Sequence, residues 1–563
     1  MTAKETLPFY LNSNFWLSLL FLSASLMIFG WVRSYPLNYS PAELPVLSAI
    51  SPFFWLGLWL SFIFLAGLIL TTHNQYVILA SVGCFVILFT SPQFLYYSYG
   101  SDAGILAEFV NYSNAYDHLE LSRDIAVNSY YQWPLSIFFH QFLADILLID
   151  VYETLSIAFF FIILGISGGF FNLWHSPADH QPGSIRAVFW GAAIYFCSLF
   201  WIVNWQTVPF TFALVLFIPL LALLADHSIQ GKILFVIFFI ALVETHAMLG
   251  IWLLLIASIW FALNYFRSKG LSRISSYSMI ILMVVVLVSF LVYKNTRFFT
   301  YVLSSLQGFY SQISLIATSD RALALQTKGA LSNVPINIIG KILKIMSWIS
   351  LAIGFLAFLF SALIVFFRHR VQIREISFVL AGLLYFIIGT KLANLGIRAM
   401  LLIGLAPAYF LIDNLLIKKN TSKILLVFCI LSIILFPSAL IRSHQNSINY
   451  IIPADLFIRD FLSTFDENSE LDFSLLREPS KPHLLNNKFT TITRSTITNN
   501  INWICSGHLI VVDSEQLRND LTNISPGLSS ALISSYSQAP QFYDNGLTKL
   551  RYLNDCEPLN MFK

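Results

Sequence analysis

Pro52 to Leu70 reads PFFWLGLWLSFIFLAGLIL and contains no charged residue. A helix needs about 20 such residues to cross the roughly 30 Å hydrocarbon core of a bilayer. Within that core a single segment satisfies its own backbone polar groups only as a helix. Similar apolar runs recur from Asn14 to about Ile441. The sequence therefore predicts an all-α polytopic membrane bundle.

The composition of the whole chain excludes two broad classes of protein. The 563 residues are 57% hydrophobic and 11% charged, whereas a soluble domain is about 25% charged. The net charge of +3 is too small to indicate nucleic acid as a partner. The first apolar run lacks a small-residue cleavage site and leads into further runs, so it is interpreted as a retained membrane helix.

Short basic connections give the predicted orientation. Arg368-His369-Arg370, Lys418-Lys419 and the Arg267 to Arg273 segment are expected to be cytoplasmic by the positive-inside rule. The N-terminus is then inside the cell membrane, and the C-terminal tail is outside. About thirteen spans follow, near residues 13–32, 52–70, 76–91, 153–174, 187–205, 209–225, 233–246, 247–264, 275–293, 342–367, 376–390, 401–417 and 424–441.

The membrane domain, residues 1–441, has two long outer loops, 92–152 and 294–341. The first loop contains an apolar stretch, Pro134 to Val151. It is not counted as a span, because counting it would reverse the predicted membrane side of every segment before it. It also carries His140 and Asp145, and a charge at the bilayer centre costs about 2.5 to 3.5 kcal/mol. We expect an interfacial or protein-buried helix there.

The tail, residues 442–563, is slightly acidic and lacks apolar runs, which predicts a soluble extracytoplasmic domain. His508 to Asp513 is strand-like. Tyr543 to Gly546 is a turn signal beside an extended run from Leu547 to Leu553, which is typical of a hairpin. A small α/β domain is predicted.

Cysteine usage leaves two alternatives open in the tail. Cys505 and Cys556 fit either a disulfide or two free thiols, depending on the compartment. Neither a CxxC pair nor a Cys/His spacing indicates a metal. The sequence gives no metal ligands and identifies no cofactor.

Acidic and aromatic residues gather in the first outer loop. Asp102, Glu108, His118 and Tyr131 are candidate site residues, because aromatic rings stack on sugar rings and a carboxylate can accept a proton from an attacking hydroxyl. Asp102 alone is also explained by a helix cap or a solvated loop acid.

Glu244 and His246 stand where two short apolar runs meet at the predicted outer face. Ionisable residues inside a bundle are candidates for function. A structural pair, or a histidine facing interfacial water, is the alternative. Arg398 precedes a late span, and its planar donors match phosphate oxygens. The alternative is an arginine that snorkels to ordinary phospholipid.

The layout resembles the GT-C superfamily of membrane glycosyltransferases. The resemblance rests on Asp102 in the first large outer loop, on a helix expected from Gly104 to Asn111, on the Tyr131-Gln132-Trp133-Pro134 start of an apolar helix, and on Arg398-Ala399-Met400 before Ala406-Pro407. It covers most of the chain in layout, through short and loose motifs.

The resemblance implies sugar transfer from a polyprenyl-phosphate or polyprenyl-diphosphate donor to an acceptor at the outer face. Asp102 would be the general base, and Arg398 would contact the donor phosphate. Glu108, His118, Tyr131, Glu244 and His246 would line the sugar and acceptor pockets. Many members have a pair of acidic residues at this position, whereas this chain has Asp102 alone, preceded by Ser101. A divalent metal is compatible with the family, but the sequence has no paired-acid motif to bind it.

Two other classes of function remain in view from the sequence. A transporter or lipid flippase would need discontinuous helices and an ionisable path through the membrane midplane. A non-catalytic scaffold would depend on its tail and would tolerate changes at Asp102 and Arg398. The donor sugar and the acceptor are not identified by the sequence, and membrane lipid is the one partner that its composition requires.

Overall fold

The chain is a helical membrane protein. The computed structural model describes residues 13–34, 50–72, 74–91, 106–107, 109–111, 113–114, 133–174, 189, 192–193, 195–196, 207–224, 226, 228–267, 274–293 and 373–391, together with strand residues of the tail. The described helices are α1 (Ser13–Ser34), α2 (Pro52–Thr71), α3 (Gln75–Thr90), α4 (Pro134–Leu147), α5 (Val151–Trp174), α6 (Pro209–Leu223), α7 (Ile229–Arg267), α8 (Ile274–Tyr293) and α9 (Ile373–Lys391).

Within this described part, four helices are long and apolar enough to cross a membrane by length and composition: Ser13–Ser34, Pro52–Thr71, Val151–Leu173 and Ile229–Phe266. Helices α3, α6, α8 and α9 coincide with further predicted spans. The spans predicted at 342–367, 401–417 and 424–441 fall outside the described residues. The total of about thirteen spans stays a prediction.

Helices α1 and α2 pack against each other through small residues. A Cβ added to Gly57 would lie 2.8 Å from Cα of Met27 and 2.8 Å from the carbonyl oxygen of Ser23, and Gly30 faces the backbone of α2 in the same way. The hydroxyls of Ser23 and Ser61 form a buried hydrogen bond of 2.8 Å. Close backbone approach through small residues is how membrane helices associate, since lipid supplies no hydrophobic drive between them.

Helices α5 and α6 run parallel at the centre of the bundle. The Thr207 hydroxyl, just before α6, donates to the carbonyl oxygen of Leu155 in the first turns of α5 at 2.8 Å. Further along both helices, Gly169 faces the ring of Pro219. The contacts advance in the same direction on both helices, which agrees with the predicted topology, in which both cross from outside to inside.

Helix α7 turns back on itself at His246. The backbone there is extended, with φ −164° and ψ 95°. A Cβ on Gly250 would lie 2.9 Å from Cγ2 of Val243 and 3.9 Å from Cε2 of Phe239. In a straight helix, residues eleven apart are separated by about 16 Å along the axis. The two limbs, residues 229–245 and 247–267, therefore fold against each other, as expected for the two short runs predicted to meet there.

Helix α4 is a short apolar helix. Its 14 residues extend about 21 Å, and it falls with α3 and α6 among the apolar helices shorter than the four candidate spans. It begins at Pro134 and ends before Leu148, whose left-handed backbone has φ 55°. Its interpretation as a non-spanning helix stays a prediction. Residues 106–107, 109–111 and 113–114 are also helical, close to the predicted Gly104 to Asn111 helix.

The described residues of the tail form five strands of one sheet, in the order β2-β1-β3-β5-β4. Strands β4 and β5 pair antiparallel, with Asp544 opposite Lys549, and β3 pairs antiparallel with β5. The predicted strand at 508–513 and the predicted hairpin thus correspond to described strands, and the segments between strands lie outside the described residues. The strands are β1 (Asp472–Ser474), β2 (Phe489–Thr490), β3 (Leu509–Ser514), β4 (Gln541–Asp544) and β5 (Thr548–Leu553).

Gly57→Ala is expected to destabilise the protein by about 1–3 kcal/mol, because the new methyl group meets the α1 backbone and forces the helices apart. Gly83→Ala in α3 is the matched control, since no atom of the described residues lies within 4 Å of its Cβ position. There, alanine should be neutral or stabilise the helix by up to about 1 kcal/mol. Thermal midpoints of the full chain in detergent measure both; equal midpoints would contradict the α1–α2 packing.

The fold-back of α7 predicts a disulfide in Val243→Cys/Gly250→Cys, made in a background lacking the five native cysteines. A Cβ–Cγ bond of about 1.5 Å added to the 2.9 Å contact puts the two Cβ atoms within about 4.4 Å, as a disulfide requires. Leu249→Cys/Ile256→Cys has the same spacing inside one limb, about 10 Å along the axis, and should not cross-link. Oxidation followed by mass spectrometry of peptides distinguishes the two; no cross-link in the first pair would mean a straight α7.

Candidate functional site

The structure describes two of the predicted site residues. Glu244 and His246 lie at the bend of α7, and both are partly exposed. The other predicted residues lie outside the described part of the chain: Asp102, Glu108, His118, Tyr131 and Arg398.

His246 is the meeting point of three elements. Its imidazole ring lies against the Trp133 side chain, with ring centroids 3.9 Å apart and planes at 71°. Phe210, in the first turn of α6, contacts it edge-on with centroids 5.3 Å apart. The Phe210 contact has the edge-to-face geometry that ring systems favour, and the Trp133 ring lies closer still. The end of the first outer loop, the start of α6 and the α7 bend therefore converge.

The second limb of α7 and α9 extend this group. Trp252 is fully buried and contacts Phe210 at 6.0 Å and Tyr385 at 4.6 Å between ring centroids. The Tyr385 hydroxyl donates to the sulfur of Met248 at 3.3 Å. We name the five rings Trp133, Phe210, His246, Trp252 and Tyr385 the bend cluster.

Local sequence explains why these elements end at the cluster. Pro134 and Pro209 stand in the first turn of α4 and of α6, where a missing N–H costs nothing and the fixed φ suits a helix start. Val208 before α6 is extended and keeps its N–H bonded to the Thr211 hydroxyl at 3.0 Å. On α7, the Thr245 hydroxyl bonds back within the last turn of the first limb.

One end of the bundle thus gathers the segments predicted to face outward: the start of α4, the start of α6 and the α7 bend. Which side of the membrane this end faces stays a prediction. Glu244 brings a carboxylate to this end, two residues before His246. The sequence placed Glu244 and His246 together, and the structure adds the aromatic partners of His246.

The indole nitrogen of Trp252 is a buried donor without a hydrogen-bond partner among the described residues. A buried unsatisfied polar group costs about 1–3 kcal/mol. The bend cluster therefore combines apolar ring surfaces with polar atoms, which is the composition of small-molecule sites. In the part of the chain that the structure describes, no three His, Cys, Asp or Glu residues are grouped to hold a metal ion.

Sequence reasoning did not select several members of the cluster. In the sequence, Trp133 is only part of the aromatic start of a helix. Its position directly before Pro134 is the one local feature that indicates a helix boundary there. Phe210, Trp252 and Tyr385 stand in apolar runs, where an aromatic residue is by default a core or lipid-facing residue. No local pattern separates them from the other aromatic residues of this chain.

Comparisons with known proteins give a loose structural likeness. No protein-family model matches the chain, and no curated protein matches its sequence. Two crystal structures of ArnT from Cupriavidus metallidurans are similar in layout: the apo state at 10% identity with a TM-score of 0.37, and the form bound to undecaprenyl phosphate at 11% identity with a TM-score of 0.39. Each match covers 85% of this chain and 97% of the ArnT chain. At these TM-scores the likeness assigns no family and no residue.

Trp252→Ala should destabilise the protein by about 3–5 kcal/mol, because it leaves a large cavity between α6, α7 and α9. Trp31→Ala is the matched control, since Trp31 on α1 is 40% exposed, and its loss should shift the thermal midpoint little. The midpoints of both variants in detergent provide the measurement. Similar midpoints in the two variants would contradict the packing of Trp252 between the three helices.

Proposed function

We propose that this chain is a membrane glycosyltransferase that moves a sugar from a polyprenyl-phosphate or polyprenyl-diphosphate donor to an acceptor at the outer face. The contact between Trp133 and His246 carries the proposal. It joins the end of the loop that contains Asp102 and Tyr131 in the sequence to the bend that contains Glu244. The contact supports the proposal because it brings the end of the predicted outer loop, at Trp133, to the bend where the sequence predicts site residues.

The depth of the bend favours a reaction at the membrane edge. The two limbs of α7, residues 229–245 and 247–267, extend about 25 Å and about 31 Å, so each nearly crosses a hydrocarbon core of roughly 30 Å. The bend then lies near a membrane face, where lipid phosphates lie. Transporters instead place their broken helices near the midplane. This geometry supports a lipid-linked donor more than a transport path.

In the proposed reaction, Asp102 accepts the proton of the acceptor hydroxyl as that oxygen attacks the anomeric carbon. The bond between the anomeric carbon and the phosphate oxygen breaks, and polyprenyl phosphate leaves with inversion at that carbon. Arg398 stabilises the negative charge that develops on the leaving phosphate. The acceptor gains the sugar, and the proton ends on the Asp102 carboxylate.

The other site residues would bind rather than react. Tyr131 would offer a ring surface to the apolar face of a sugar. Glu108, His118, Glu244 and His246 would hydrogen-bond hydroxyl groups of the sugar or acceptor. The protein would lie in the plasma membrane with its tail outside the cell.

Asp102→Asn should lower transfer by about 10²- to 10⁴-fold, the usual contribution of a general base. The measurement is incorporation of label into the acceptor fraction of membranes supplied with radiolabelled undecaprenyl-phosphate sugars. Asp145→Asn is the matched control, because Asp145 is an exposed acid on α4 and should leave transfer unchanged. Unchanged transfer in Asp102→Asn would remove the base assignment, and no transfer by the wild type from any such donor would remove the proposed function.

A further inference from the structure

Helix α4 has its polar and apolar faces reversed relative to a helix on a soluble protein. The large apolar residues Phe138, Phe142 and Ile146 are 47%, 62% and 60% exposed, whereas Ser136 and His140 are fully buried. A helix on a soluble protein would turn its polar side chains to water. The exposed side also carries the Asp145 carboxylate, so the arrangement fits a helix at the interface between lipid and water that encloses Ser136 and His140 on its inner side.

The hydrogen bond made by His140 fixes which ring nitrogen carries the proton. Its Nδ1 atom lies 2.6 Å from the carbonyl oxygen of Ser136. A carbonyl oxygen only accepts, so Nδ1 must be the donor. Burial lowers the pKa of His140 to about 4, although the bond to Ser136 acts in the opposite direction. The ring is therefore neutral at pH 7, and its Nε2 atom carries a lone pair that can accept a hydrogen bond.

Two polar atoms on this inner face lack a partner. Nε2 of His140 and the hydroxyl of Ser136 are buried and have no hydrogen-bond partner among the described residues. They stand four residues apart, so they share one face of the helix. Apolar rings flank them: Phe139 stacks on Phe212 with centroids 4.4 Å apart, and the His140 ring lies 6.4 Å from that of Phe212. Leaving both atoms unpaired costs about 1–3 kcal/mol each.

We propose that Ser136 and His140 form a subsite that binds a hydroxyl group of the transferred sugar, with Nε2 of His140 as the acceptor. This inference rests on the proposed function and deepens it. Ser136 and His140 follow Trp133, the ring that contacts His246, by three and seven residues, about 4.5 Å and 10 Å along the helix. A sugar bound beside the α7 bend would therefore present a hydroxyl group to this inner face.

The chemistry of the subsite selects hydroxyl groups over phosphate. A phosphate group in its ionised form has only acceptor oxygens, which repel the lone pair on Nε2. Binding phosphate would require a protonated ring, and burial disfavours that charge. A sugar hydroxyl donates to Nε2 and can exchange a second hydrogen bond with the Ser136 hydroxyl. The donor's phosphate must then lie elsewhere, and a buried water molecule is the competing source of a hydroxyl group.

The test uses the full chain in lipid nanodiscs and two groups of labelled lipid: bare undecaprenyl phosphate, and undecaprenyl phosphate carrying glucose, galactose, mannose or arabinose. His140→Asn keeps an N–H near Nδ1 and removes the acceptor at Nε2, whereas His140→Gln restores an amide at the Nε2 position. His140→Asn should weaken binding of the preferred sugar lipid about tenfold, equivalent to about 1.4 kcal/mol, and leave binding of bare lipid unchanged. His140→Gln should recover most of the loss.

Each other outcome overturns the subsite. If His140→Asn lowers the thermal midpoint and leaves affinity for the sugar lipid unchanged, the pair holds a structural water. If His140→Asn weakens binding of both lipids equally, the pair does not distinguish sugar from phosphate. If the wild type binds none of these lipids, the proposed function fails together with the subsite. Ser136→Ala removes the second polar atom without added bulk, so it provides the same comparison if the His140 variants do not fold.

Discussion

The bend of α7 at His246 is the constraint on which the described site depends. A membrane helix normally satisfies all its backbone groups internally, and one extended residue interrupts that pattern at the kink. The contacts of Gly250 with Val243 and Phe239 show that the two limbs fold against each other there. The limbs can pack together because Gly250 leaves room beside Val243. The reversal exposes a helix end to the neighbouring elements, and the bend cluster closes around it. The aromatic contacts of His246 therefore follow from the bend in the α7 backbone.

Packing elsewhere in the membrane domain follows a different rule from the bend. Helices α1 and α2 approach so closely that glycine is required where they meet, and a buried serine pair adds a hydrogen bond. Since lipid is as apolar as the side chains, close contact supplies the association energy. Most of the large apolar side chains of α1 remain exposed and face lipid. The pair therefore anchors the start of the chain without taking part in the bend cluster.

Helix α4 connects the architecture to the proposed chemistry. Its exposed side carries large apolar residues and the Asp145 carboxylate, which suits the interface between lipid and water. Trp133, directly before it, contacts the α7 bend, and its inner face holds Ser136 and His140. From the sequence alone, His140 served only as evidence that residues 134–151 do not span the membrane. The structure shows that His140 is buried and that its Nδ1 atom is hydrogen-bonded to Ser136. Its ring is therefore a polar group inside the protein. A site at the membrane edge needs this combination, because a lipid-linked sugar has an apolar tail and a hydroxyl-rich head.

The sequence by itself determined the class of protein, the helices that the structure describes, the short helix that begins at Pro134, the adjoining runs at His246 and the strand pairing near Asp544. These features depend on local length, hydropathy and turn residues, which a sequence displays directly. Only the tertiary structure decided that Trp133, Phe210, Trp252 and Tyr385 surround His246. Membrane helices are apolar on every side, so no periodicity marks their inner faces, and these partners are separated along the chain by up to 252 positions, from 133 to 385. The contacts were set by the fold-back of α7 and by close helix packing, which no single stretch of sequence encodes.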